Sequence, residues 1–148
     1  MKSFKVWSND SEVPQAGESS GKPAKLRPDA NPPKEYLTLD EIFAKVKGIP
    51  YYKEVIQDFD NKDNSWAVYR KVYEYAQYFY KNPNSLNSLP PIIAVDGKLQ
   101  DGAHRISALN LLRERLDTKN PLWKNIKLEV IFAKKEDLDE GDYTMPQL

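Results

Sequence analysis

Apolar residues at Ala103, Ile106, Leu109, Leu112 and Leu116 recur at helical spacing and predict a helix over residues 103–116 with one buried face. Just before it, Ile92-Ile93-Ala94-Val95 is a continuous apolar run of strand length entered through Pro90-Pro91. Asp96-Gly97 has the composition of a two-residue hairpin turn, which predicts that Lys98-Leu99-Gln100 folds back as a second short strand. Asp101-Gly102 then turns the chain again, straight into the helix. This strand, hairpin, turn and helix unit is the most strongly patterned part of the sequence.

The same reading orders the rest of the chain. Thr38 and Glu41 have capping-box spacing ahead of Ile42, Phe43 and Val46, with Gly48 and Pro50 ending that helix. Residues 51–59 predict a second short helix with Tyr52, Val55, Ile56 and Phe59 inward. Ser65 is placed to cap a longer one over 66–80, whose inner stripe is Trp66, Tyr69, Val72, Tyr73, Ala76 and Phe79. Residues 82–88 read as a polar loop. Over 123–133 the pattern switches to alternation, with Ile126, Leu128, Val130 and Phe132 on one face and Lys127, Glu129 and Ile131 on the other, which predicts a last strand. Phe4-Lys5-Val6-Trp7 reads as a short edge strand. The expected class is α+β, a small mixed β-sheet flanked by helices.

Composition divides the chain further. Residues 1–34 are rich in Pro, Ser, Gly and charge and predict an extended or flexible arm that adds little to a core; 35–133 hold the folded domain; 134–148 form an acidic surface tail. Lys plus Arg and Asp plus Glu both total 22, so no overall basic field argues for nonspecific nucleic-acid binding, although Lys22, Lys25, Arg27 and Lys34 make the arm locally basic. With no cysteine and one histidine, thiol catalysis, thiolate metal sites and His-rich zinc sites are excluded. No apolar run reaches membrane-spanning length and no signal peptide opens the sequence, so a cytoplasmic protein with no membrane partner is expected. Asp58, Asp60 and Asp63 beside Asn61 and Asn64 imitate a calcium loop, but the required glycine and distal glutamate are missing and an ordinary helix-ending turn is expected.

Candidate chemistry gathers at the start of the 103–116 helix. A helix start carries unpaired N–H groups and the positive end of the dipole, and Gly102 has no Cβ to hold a ligand away from the backbone. Arg105 adds a fork of donors, His104 titrates near neutral pH, and Asp101 either caps the helix or holds a metal ion. The same residues also read as an N-cap, a turn glycine and two solvated first-turn side chains.

Asp101-Gly102-Ala103-His104-Arg105, followed by Ala108-Leu109 and preceded by a Pro-Ile strand, resembles the phosphate-binding signature of the ParB/sulfiredoxin superfamily. The resemblance is centred on residues 90–112 and extends over about 36–133. It implies that Gly102, His104 and Arg105 grip nucleotide phosphates with Ser107 on the same helix start, and that Lys71, in Arg70-Lys71-Val72, matches a phosphate-binding lysine of sulfiredoxins. It also implies an early glutamate acting as base, for which Glu35 and Glu41 are the candidates, Glu41 being the capping-box residue as well. Where sulfiredoxins carry a cysteine this chain has Ala103, so sulfinic acid reduction by that route is excluded; the arginine-rich signature of the partition CTPases is absent too.

The expected function is therefore nucleotide binding with kinase-like phosphotransfer. ATP, ADP or CTP would be the nucleotide, Mg²⁺ would be shared between the phosphates and Asp101, and Asp101, His104 and Glu35 are the catalytic candidates. The alternative is a non-catalytic or nuclease-type module associated with DNA or a DNA-modification protein, in a partition, modification or phage system, since similar motif text occurs in such proteins. The pattern leaves the oligomeric state open.

Overall fold

A computed structural model of the chain describes residues 25–61 and 67–139. The expected strand at Phe4-Lys5-Val6-Trp7, the cap Ser65, the inner residue Trp66, and Asp63 and Asn64 lie outside the described residues.

The described elements, in order, are β1 (Lys34–Leu37), α1 (Leu39–Lys45), α2 (Tyr52–Asp60), α3 (Arg70–Lys81), β2 (Ile92–Val95), β3 (Lys98–Asp101), α4 (Ala103–Leu111), α5 (Leu122–Asn125) and β4 (Leu128–Ala133). The class is α+β, and the four strands form one mixed sheet in the order β1-β4-β2-β3. β1 runs antiparallel to β4, β4 parallel to β2, and β2 antiparallel to β3. The hairpin between β2 and β3 turns on Asp96 and Gly97, both at positive φ (52° and 82°), the combination a type I′ turn needs. In its register Ala94 faces Leu99 and Ile93 faces Asp101, so Gln100 is the extra residue of a bulge, one position before the chain leaves the sheet for α4. The outer edge of β3 is covered: Lys47 N–H donates to the Gly97 carbonyl and Leu99 N–H to the Lys47 carbonyl, both at 2.9 Å.

Alternation along the strands decides which side each residue serves. Ile92, Ala94, Leu128 and Val130 join Leu39, Ile42, Val55, Tyr73, Phe79 and Ile106 in the main core, on the face covered by helices. Ile93, Val95 and Ala133 point the other way and form a small second cluster with Leu26 and Leu138. Leu26 and Leu138 are bridged, Arg27 N–H donates to the Asp137 carbonyl and Asp139 N–H to that of Lys25. Residues expected in an arm and a surface tail therefore close the second face of the sheet, because Ile93, Val95 and Ala133 would otherwise lie bare to water.

α4 differs from its expected form in two ways. Instead of one buried face, residues 105–111 are all buried, because α4 packs against α1, α2 and α3 and shares the main core with Ile92, Ala94 and Val130 of the sheet. Beyond Leu111 the helix widens into a π-turn over Leu112–Leu116 rather than continuing as α. Arg115 donates from Nε and Nη2 to the two Asp60 oxygens at 2.6 and 2.8 Å, and Arg113 reaches Asp40, so the π-turn is tied to α2 and α1. The expected 66–80 helix begins at Arg70, residues 83–88 make a 3₁₀ turn, and Trp123 sits on the single turn of α5, where its indole N–H donates to Asp117, so β4 starts at Leu128.

Candidate functional site

The chain reaches the candidate site through β3 and leaves it through α4. Gly102 is the N-cap residue of α4, at φ 117° and ψ 9°, and it brings no side chain of its own to the cap. Asp101 stands one residue before the N-cap position, at the end of β3. A Cβ at Gly102 would lie 2.5 Å from Ile92 Cδ1 and 3.5 Å from Arg105 Nη2, so the glycine is required by its left-handed backbone and by the packing of β2 and Arg105 against it. Sequence reasoning expected that space to admit a ligand; Ile92 and Arg105 fill it.

Arg105 departs furthest from expectation. Instead of standing in solvent at the head of the helix, it is 1% exposed. Its Nη1 donates to the Pro90 carbonyl, and its Nη2 lies 3.8 Å from Asp101 Oδ2, itself in a side chain only 7% exposed. Burial of a guanidinium is tolerated when a carboxylate and a carbonyl share its donors, and here both come from the segments that bracket β2 and β3. Arg105 also lines a cavity of about 230 Å³ together with Tyr36, Asn87, Leu89, Ile92 and Lys127.

Ser107 is fully buried and its hydroxyl donates to the Pro50 carbonyl at 3.1 Å, so it anchors the α1–α2 connection rather than joining Gly102 and His104 at the helix start. Glu35 sits on β1 and pairs with Lys45 at 2.8 Å, a contact that raises the lysine above its ordinary value. Since β1 and β3 are opposite edges of a four-stranded sheet, Glu35 is about 14 Å of strand spacing from Asp101 and is not brought to the α4 start. Glu41 completes the capping box with Thr38: its side chain accepts from Thr38 N–H at 2.9 Å. Lys71 is half-buried in the first turn of α3, a helix packed against α4.

His104 is the first-turn residue that reaches solvent, since Asp101, Gly102, Ala103 and Arg105 are all buried. Its ring stacks on Tyr51, centroids 5.2 Å apart and planes 9° from parallel, and Tyr69 meets Tyr51 edge-on at 6.5 Å. Burial, helped by Glu54 and Asp58, pushes the Tyr69 hydroxyl above its ordinary value. The Tyr73 hydroxyl is raised further, by its own burial and by its hydrogen bond to Asp58 at 2.9 Å. Tyr51 was missed in the sequence: its φ of 75° is a conformation that a tyrosine rarely adopts, and only the neighbouring Gly48 and Pro50 mark a turn there.

The sequence expectation for Mg²⁺ falls on Asp101. The Asp101 carboxylate already faces a buried guanidinium, and among the described residues no group of three or more His, Cys, Asp or Glu converges. A carboxylate engaged in this way does not fit a resident cation. No protein-family model, no curated protein and no solved structure matches the chain.

Proposed function

We propose that the chain is a nucleotide-binding domain of ParB/sulfiredoxin type that holds the phosphates of ATP, ADP or CTP at the start of α4, with phosphoryl transfer as its reaction. The observation that carries this reading is the opening of α4: a left-handed glycine at the N-cap position and one titratable residue, His104, at the solvent side of the first turn. A helix start of this kind favours an anion through its backbone donors and its dipole. The motif Asp101-Gly102-Ala103-His104-Arg105 supports the phosphate as that anion.

Within this reading the residues divide the work. His104 meets the phosphate directly. The Ala103 and His104 N–H groups supply backbone donors, and Arg105 contributes charge from beneath while keeping Asp101 in place. Phosphoryl transfer consists mostly of positioning and charge neutralisation, which suits a site with no nucleophile of its own.

A second reading, binding without transfer, is favoured by one specific observation: both candidate catalytic carboxylates are already engaged, Glu35 with Lys45 and Asp101 with Arg105. Calorimetric titration of ATP, ADP and CTP with Mg²⁺, followed by an assay for loss of the terminal phosphate, separates the two. Binding with turnover supports the transferase; binding without turnover selects the binding module; no binding of any nucleotide refutes both.

A further inference from the structure

Tyr51 occupies a backbone conformation that glycine adopts freely and tyrosine does not: φ 75°, ψ −28°. Tyr52 N–H donates to the Pro50 carbonyl at 2.9 Å across it, which closes a γ-turn of the positive-φ form, the strained one. The same carbonyl accepts from the Ser107 hydroxyl on α4 at 3.1 Å, and the Tyr51 carbonyl accepts from Val55 N–H at 2.8 Å to begin α2. The turn is thus clamped from both sides, and one clamp comes from the helix that carries His104, three residues before Ser107 and on the same helical face.

The consequence is geometric. With φ held positive, the Tyr51 ring lies flat on the His104 imidazole, 5.2 Å between centroids, with Tyr69 against its edge. Tyr51 is nonetheless 37% exposed, so the strain is not spent on burying a core side chain. Strained residues persist where surrounding structure enforces them, and they concentrate where a side chain must be presented in one orientation. Glycine would remove the strain; it would also remove the ring.

We infer that Tyr51 is a positioning residue: the Pro50-Tyr51-Tyr52 turn, pinned by Ser107, presses its ring on His104 and fixes the imidazole in the orientation in which it meets an anionic ligand at the start of α4. This rests on the phosphate-site reading of the preceding subsection and extends it to a residue outside the motif. It also gives Ser107 its place, as the residue that locks the turn to α4.

The chain has a single histidine, so its imidazole signals in a nuclear magnetic resonance spectrum belong to His104 alone. Wild type is compared with Tyr51→Phe, which keeps the ring, and with Tyr51→Gly and Tyr51→Asn, which remove it while tolerating positive φ. Thermal unfolding and ATP titration are measured on all four, the titration at a temperature where each is folded. In Tyr51→Gly and Tyr51→Asn the His104 signals move downfield as the stacked ring's shielding is lost. Their stability stays at or above that of wild type, and they bind ATP about three- to tenfold more weakly, the worth of one aromatic pair. Tyr51→Phe behaves as wild type.

If wild type binds ATP and the ring-less variants bind equally well, Tyr51 does not position His104 and the phosphate reading stands without it. If their binding falls only in step with a lost melting temperature, the residue is structural and the inference is overturned. If wild type shows no response to ATP, the phosphate reading fails and this inference falls with it.

Discussion

Replacing Arg105 by methionine keeps most of the side-chain stem and removes the guanidinium, at a position 1% exposed. Two losses follow from the geometry. Asp101, with a side chain 7% exposed, loses the cation 3.8 Å from its Oδ2 while staying buried. Breaking one side of a buried ion pair costs about 3–5 kcal/mol, and the long separation here places this pair at the lower end. The Pro90 carbonyl loses the Arg105 donor as well, worth about 1 kcal/mol once water competes. The sum, about 4 kcal/mol, is a large share of a stability of about 5–15 kcal/mol and corresponds to a melting temperature about 10 °C lower for a chain of this size. Urea unfolding of wild type, Arg105→Met, Asp101→Asn and the double variant measures it. Asp101→Asn in the Arg105→Met background should recover stability, because the stranded charge is gone, so the two changes are strongly non-additive. A loss within about 0.5 kcal/mol for Arg105→Met, as for a surface residue, would refute the buried pair.

Other outcomes follow from the same packing. Gly102→Ala should cost about 3 kcal/mol from positive φ and the contact with Ile92 Cδ1; Ile92→Val, which removes that atom, should cost about 1 kcal/mol in wild type and nothing in the Gly102→Ala background, as read by urea unfolding. Removing residues 1–33 should leave a folded domain about 2 kcal/mol less stable, because Leu26 and the bonds at Lys25 and Arg27 leave the second face of the sheet; an unchanged melting temperature would show that they do not cover it. Tyr73 has a raised pKa in the folded chain, so its contribution is complete below its ordinary value of 10.0 and is lost as pH rises beyond that. Stability above pH 10 should then fall more steeply in wild type than in Tyr73→Phe, and parallel alkaline limbs would contradict the assignment.

Local signals were legible. The Thr38–Glu41 capping box, the Asp96-Gly97 hairpin and the alternation along β4 depend on neighbours a few residues apart, and each formed as its residues imply. What failed to show was anything that depends on distant partners. Arg105 reads as a solvated first-turn residue because the Pro90 carbonyl that receives it is fifteen positions away. Asp101 stands four residues before it, an ion-pair spacing visible in the sequence, but nothing local says that both ends are buried. Ser107 and the Pro50 carbonyl are fifty-seven positions apart, and no propensity marks Tyr51 for positive φ; both follow from how α4 packs on the α1–α2 connection. Where Glu35 lies is likewise a matter of topology: β1 joins the sheet beside β4, at the edge opposite β3, and no local pattern announces that.

The central claim, a phosphate site at the start of α4, is tested most directly by following the imidazole signals of the single histidine while ATP with Mg²⁺, and separately adenosine, are added to the intact chain. Saturable movement of the His104 signals with ATP and none with adenosine is the expected result, since the triphosphate and not the base meets this residue. Signals that stay fixed with both, or that move equally with both, would contradict it.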